Sequence, residues 1–111
     1  MNKRLSQEYE RDAKGYVIIK EGKHKFINEK VKIYGNAVVT VRGKSEVFAY
    51  DSSEVYAFDS AVVYTFGSAV VCAFESVRAC AFESVRVYAF GSSKIHIEDN
   101  AKIVKDKRGV E

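Results

Sequence analysis

The side chains best equipped for chemistry are His96 beside Glu98 and Asp99, His24 among lysines, and the thiols of Cys72 and Cys80. A histidine flanked by carboxylates could shuttle protons, and thiols could act as nucleophiles or metal ligands. Spacing argues against each. His96 occupies a position where equivalent segments carry Tyr or Cys, so it reads as a surface substituent, and His24 sits in a lysine-rich stretch with no acidic pair. The two cysteines lie eight residues apart, which is one period of the pattern described below and not a metal-ligand spacing. Asp51, Asp59, Glu75, Glu83 and Asp99 recur at one position and raise the possibility of calcium, which needs several oxygen ligands per ion. Gly35, Gly43, Gly67 and Gly91 fill that same position, however, and no Gly-Gly-x-Gly-x-Asp run is present. Outward threonine is limited to Thr40, too little for the flat threonine rows of an ice-binding surface. The expectation is a protein with no catalytic residues, no metal and no cofactor.

The element that places all these groups is an eight-residue repeat. From Asn28 the chain reads NEKVKIYG, NAVVTVRG, KSEVFAYD, SSEVYAFD, SAVVYTFG, SAVVCAFE, SVRACAFE, SVRVYAFG, SSKIHIED and NAKIVKDK. Within a unit the residues alternate, so positions two, four and six share one side of a strand and three, five and seven the other. The first set is uniformly small and apolar, with Val31, Val39, Val47, Val55, Val63 and Val71 at position four. The second set mixes charge at position three with aromatic rings at five and seven.

Two arrangements compete. In an antiparallel meander with two-residue turns, position seven of one strand would share a face with position two of the next, and neither face would be consistently apolar. Parallel stacking puts like on like at roughly 4.8 Å, giving ladders of Val, Ala, Tyr and Phe. The fold class expected is therefore all-β: a single two-sided β-solenoid of about sixteen residues per coil. A three-sided coil would leave an interior wider than Val and Ala can fill. Five coils rise about 24 Å.

Both ends depart from the repeat, as solenoid caps do. Residues 1–27 are expected to form an N-terminal cap: Leu5 to Lys14 has a weak helical look, and YVIIKEGKHKFI, Tyr16 to Ile27, predicts a hairpin turning at Glu21 and Gly22. The solenoid is expected over residues 28–107, with Lys105 replacing an inward small residue and ending the core, and 108–111 as a tail. The net charge of +3 comes mainly from lysine- and arginine-rich ends. No apolar run approaches the roughly 18 to 20 residues of a membrane span, and the start of the chain is strongly polar, so a cytoplasmic location is expected.

At the level of the units EVYAFD-S-AVVYTFG-S-AVV, between Asn36 and Asn100, the chain resembles octapeptide-repeat proteins, A-x-V-x-A-[YF]-[DG]-[SN], of gut bacteria and their phages. The resemblance implies a β-solenoid without assigned catalytic residues, and the short phage-encoded members imply a conceivable anti-defence role.

The outward aromatics are the candidate interface: Tyr50, Tyr64, Phe66 and Phe82, with Tyr34 and Phe48, on the odd-numbered units, and Tyr56, Phe58, Phe74, Tyr88 and Phe90 on the even. A contiguous apolar patch on a soluble protein marks a binding surface, whereas rings that only stack on one another are structural. Three functions follow: a scaffold that forms a homodimer or larger homo-oligomer through its aromatic faces; a phage-type inhibitor docking a bacterial defence protein, for example a CRISPR effector; or a nucleic-acid-binding module. The last would use Arg42, Arg78 and Arg86 on the backbone and the rings for stacking, with Glu46, Glu54, Glu75 and Glu83 opposing it.

Overall fold

A computed structural model describes residues 9–108. Twelve strands follow one another: β1 (Val17–Ile19), β2 (Lys23–Ile27), β3 (Lys30–Ile33), β4 (Val38–Arg42), β5 (Glu46–Ala49), β6 (Glu54–Ala57), β7 (Val62–Thr65), β8 (Val70–Ala73), β9 (Arg78–Ala81), β10 (Arg86–Gly91), β11 (Lys94–Ile97) and β12 (Lys102–Arg108). Odd strands form one six-stranded parallel sheet and even strands another. The protein is a two-sided β-solenoid with six turns of about sixteen residues, and the described residues contain no helix.

The alternation sets the interior. Positions two, four and six supply the core, from Ala37, Val39 and Val41 through to Val85, Val87 and Ala89, all fully buried. Val47 pairs with Val63 and Val63 with Ala79, so each inward residue has its counterpart directly above and below. Three of the four polar exceptions are satisfied: Thr65 Oγ1 donates to the Cys80 carbonyl (3.0 Å), and Ser45 and Ser53 donate to the carbonyls of Arg42 and Tyr50, whereas the buried Ser93 Oγ has no hydrogen-bond partner among the described residues.

The corners explain position eight. Its residue opens each tight turn with φ between +57° and +73°, a region costly for residues with a Cβ. Glycine takes it in four of these nine turns, at Gly35, Gly43, Gly67 and Gly91. Elsewhere an acidic residue does, and its carboxylate reaches one coil back to a backbone N–H: Gly35 donates to Asp51 (2.9 Å), Gly43 to Asp59 (2.9 Å), Asp59 to Glu75 (2.7 Å), Gly67 to Glu83, and Glu83 to Asp99 (3.1 Å). These inter-coil bonds offset the turn strain. The Gly43 N–H also holds the Asp59 carboxyl below its ordinary range.

The expectations for the two ends need correcting. The segment Tyr16–Ile27 is not a hairpin but a sixth coil, since β1 pairs parallel with β3 and β2 parallel with β4. Val17 stands against Val31, fourteen residues on, and His24 against Val39, fifteen on, whereas Val31 to Val47 spans sixteen. Shortened corners carry this coil out of the eight-residue register. Asn28 is accordingly a corner residue (φ +55°), its Oδ1 accepting from the Lys44 N–H at 2.8 Å. At the other end Lys105 does not enter the core. A bulge at Val104 slips β12 by one residue, setting Lys105 against the outward Tyr88.

The N-terminal end is closed without a helix in Tyr9–Lys14; the rest of the predicted helical segment, 5–8, lies outside the described residues. Arg11 forms an antiparallel bridge with Val17, and Lys32 and Asp12 form an ion pair at 2.6 Å. Tyr9 covers the inward-facing Phe26 and His24, with ring centroids 5.1 and 5.5 Å away. His24 Nε2–H donates to the Glu21 carbonyl (2.9 Å), leaving Nδ1 to accept from Tyr9 Oη (3.3 Å). At the C-terminal end Ile95, Ile97 and Ile103 stay only partly covered.

Candidate interaction surface

Stacking at the coil spacing turns the outward positions into continuous rows. On the odd sheet, position seven gives Tyr34, Tyr50, Phe66 and Phe82, with successive centroids 5.0, 5.2 and 5.1 Å apart and planes within 13°. Beside it at position five, Phe48 and Tyr64 stack at 4.9 Å. The odd face thus carries two adjoining aromatic rows. On the even sheet Phe58, Phe74 and Phe90 stack at 4.6 and 4.9 Å, and the Arg42 guanidinium caps the row 4.3 Å from the Phe58 ring.

All these rings are half-buried, and Tyr50, Phe66 and Phe74 are stacked against a ring on both faces. Mutual stacking therefore accounts for much of their burial, and the rows still present an apolar stripe outward. The N-terminal segment overlaps one end of it: Tyr16 meets Phe48 edge-on at 5.7 Å and donates to Glu46 Oε1 at 2.9 Å. Burial raises the Tyr16 and Tyr50 hydroxyl pKa values.

Position five of the even sheet is broken. Tyr56 and Tyr88 flank Cys72 in register, and Thr40 precedes Tyr56. Tyr56 donates to Glu54 (3.1 Å), which raises its pKa. Cys72 lies on β8 and Cys80 on β9 of the opposite sheet, and burial pushes both thiols up, away from the reactive thiolate.

The three arginines proposed for a polyanion are not brought together: Arg78 lies on the odd sheet, while Arg42 and Arg86 lie at opposite ends of even strands three coils apart. His96 faces outward on β11 with Nε2 2.7 Å from Glu98 Oε2, both largely exposed. The position-eight carboxylates, set at the corners, accept backbone N–H groups. Among the described residues no helix is long and apolar enough to cross a membrane.

Comparison with family models, curated proteins and solved structures finds no match to this chain.

Proposed function

We propose that the protein is a non-enzymatic scaffold that self-associates through its outward aromatic rows, as a homodimer or larger homo-oligomer. The observation that carries this reading is the pair of adjoining rows on the odd sheet, Tyr50, Phe66 and Phe82 beside Phe48 and Tyr64. A flat, regularly spaced row is complementary to a second copy of itself turned about a two-fold axis, and closed two-fold pairs are the commonest homo-oligomers. Further support comes from the partial exposure that every ring of the rows retains despite its stacking.

The same stripe would serve a foreign protein, which is the form the phage-type inhibitor reading takes, in line with the resemblance to octapeptide-repeat proteins. Nucleic acid is disfavoured by the separation of Arg42, Arg78 and Arg86 over two faces. Solution mass tests the reading, measured by light scattering for wild type, for Tyr64→Ser, Phe66→Ser, Phe82→Ser on the odd face, and for Phe58→Ser, Phe74→Ser, Phe90→Ser on the even. A wild-type oligomer that falls to a folded monomer in the odd-face variant supports it. A wild-type monomer overturns self-association and leaves the foreign partner.

A further inference from the structure

A cleft of about 920 Å³ opens on the even face near the N-terminal end, within the size range of small-molecule sites. Its floor is Val38 and Thr40, outward residues of β4 smaller than Glu54 and Tyr56, their partners on β6. Thr40 pairs with Tyr56 on one side and Lys25 on the other, so the position-five row lacks one rung there. The same row is interrupted again at Cys72, between Tyr56 and Tyr88, while the unbroken rows of the solenoid stack their rings 4.6 to 5.2 Å apart. A flat ring laid over Thr40 would continue the row from the face of Tyr56.

The two sides of the cleft differ in charge. Lys23 and Lys25 stand over β2 and make no ion pair among the described residues. Opposite, Glu54 accepts from the Tyr56 hydroxyl, and the two residues line that side of the cleft. Tyr9, fixed by its bond to His24, closes the end.

We propose that this cleft binds a small planar aromatic molecule carrying one anionic group, of the aryl phosphate or mononucleotide kind. The ring takes the vacant rung between Tyr56 and β2, and the anion meets the ammonium groups of Lys23 and Lys25. Glu54, across the cleft from the lysines, repels a second anionic group, which selects against a polyanion running along the face. The inference does not depend on self-association, since the site is complete within one chain and lies away from the odd-face rows.

The test is an NMR titration of the full chain with phenyl phosphate, with inorganic phosphate and phenol as probes lacking ring or charge, and with adenosine monophosphate as the nucleotide. Phenyl phosphate is expected to shift the Val38 and Thr40 amides, and neither control to do so at equal concentration. Binding by adenosine monophosphate identifies the nucleotide source, and binding by phenyl phosphate alone the smaller aryl source. The Lys23→Ala, Lys25→Ala variant should bind about tenfold or more weakly. Thr40→Tyr, which restores the residue that other repeats use and so keeps the fold, should abolish binding while leaving solution mass unchanged. Equal shifts with inorganic phosphate, no shift with either ligand, or undiminished binding to Thr40→Tyr would each overturn the proposal.

Discussion

Val62 and Val63 are neighbours in β7 that face opposite ways, and truncating each in turn tests the sidedness on which the whole solenoid rests. Val63 is fully buried and stands in register between Val47 and Ala79. Val63→Ala removes two methyl groups, about 1.6 kcal/mol of transfer free energy at ~0.8 kcal/mol per carbon. It also leaves a void of roughly 50 Å³, costing about 1.2 kcal/mol at ~24 cal/mol per Å³. Relaxation is slight, because the adjacent Ala79 has nothing to move into the gap. The expected loss is about 3 kcal/mol, whereas Val62→Ala, on the half-exposed outer side, should cost under about 1 kcal/mol. Urea denaturation followed by far-ultraviolet circular dichroism measures both at one fixed protein concentration, since self-association shifts apparent stability by mass action. The midpoint should fall for Val63→Ala with an unchanged slope. A Val62→Ala variant as damaged as Val63→Ala would mean that the strand faces are reversed or that both are buried, and the two-sided coil would be refuted.

Three further outcomes follow from the corners, the N-terminal clasp and the broken row. Gly91→Ala would place a Cβ 2.7 Å from the Glu75 backbone nitrogen at φ +63°, so thermal melting should show a loss of at least about 2 kcal/mol; a neutral result would discount the inter-coil crowding at that corner. Lys32 and the backbone N–H of Tyr16 hold the Asp12 carboxyl down at about 2, below the unfolded value of ~3.9, so the clasp contributes stability above pH ~4 that is lost as pH falls toward 2. The Tyr16 resonances should follow that loss, and Asp12→Asn should flatten the response. Cys72→Tyr fills the rung between Tyr56 and Tyr88 and should stabilise the protein by about 0.5 to 1 kcal/mol in a thermal melt; no gain would argue against stacking along that row.

The middle of the fold is legible in the sequence because side chains repeat at the same period as the backbone. Val at position four and Ala at position six recur every eight residues, and only parallel two-sided coiling buries them all. The ends are less legible because their backbones change length. Residues Val17–Ile27 carry an ordinary inward set, Val17, Ile19 and Phe26, but coils of fourteen and fifteen residues break the alignment, and Glu21-Gly22 resembles a hairpin turn when it is in fact a solenoid corner. The bulge at Val104 is hidden for a similar reason, since one inserted residue turns Lys105 outward without altering composition.

The outward surface is legible as chemistry but not as arrangement. Tyr and Phe at position seven announce a row, and the sequence alone does not say that the rings cover one another face to face. The acidic residues at position eight suggest ion ligands until the turn geometry assigns them to backbone N–H groups of the preceding coil. The cleft over Thr40 is visible in the sequence only as a missing aromatic, and it takes the register of β2 with β4 to place Lys23 and Lys25 beside it.

Self-association through the odd-face rows is tested most directly by intermolecular nuclear Overhauser effects between isotope-labelled and unlabelled copies. Cross-peaks from the ring protons of Tyr50, Tyr64 and Phe66 to the partner copy are expected. Cross-peaks confined to Ile95, Ile97 and Val104 at the open C-terminal end, or none at all, would contradict it.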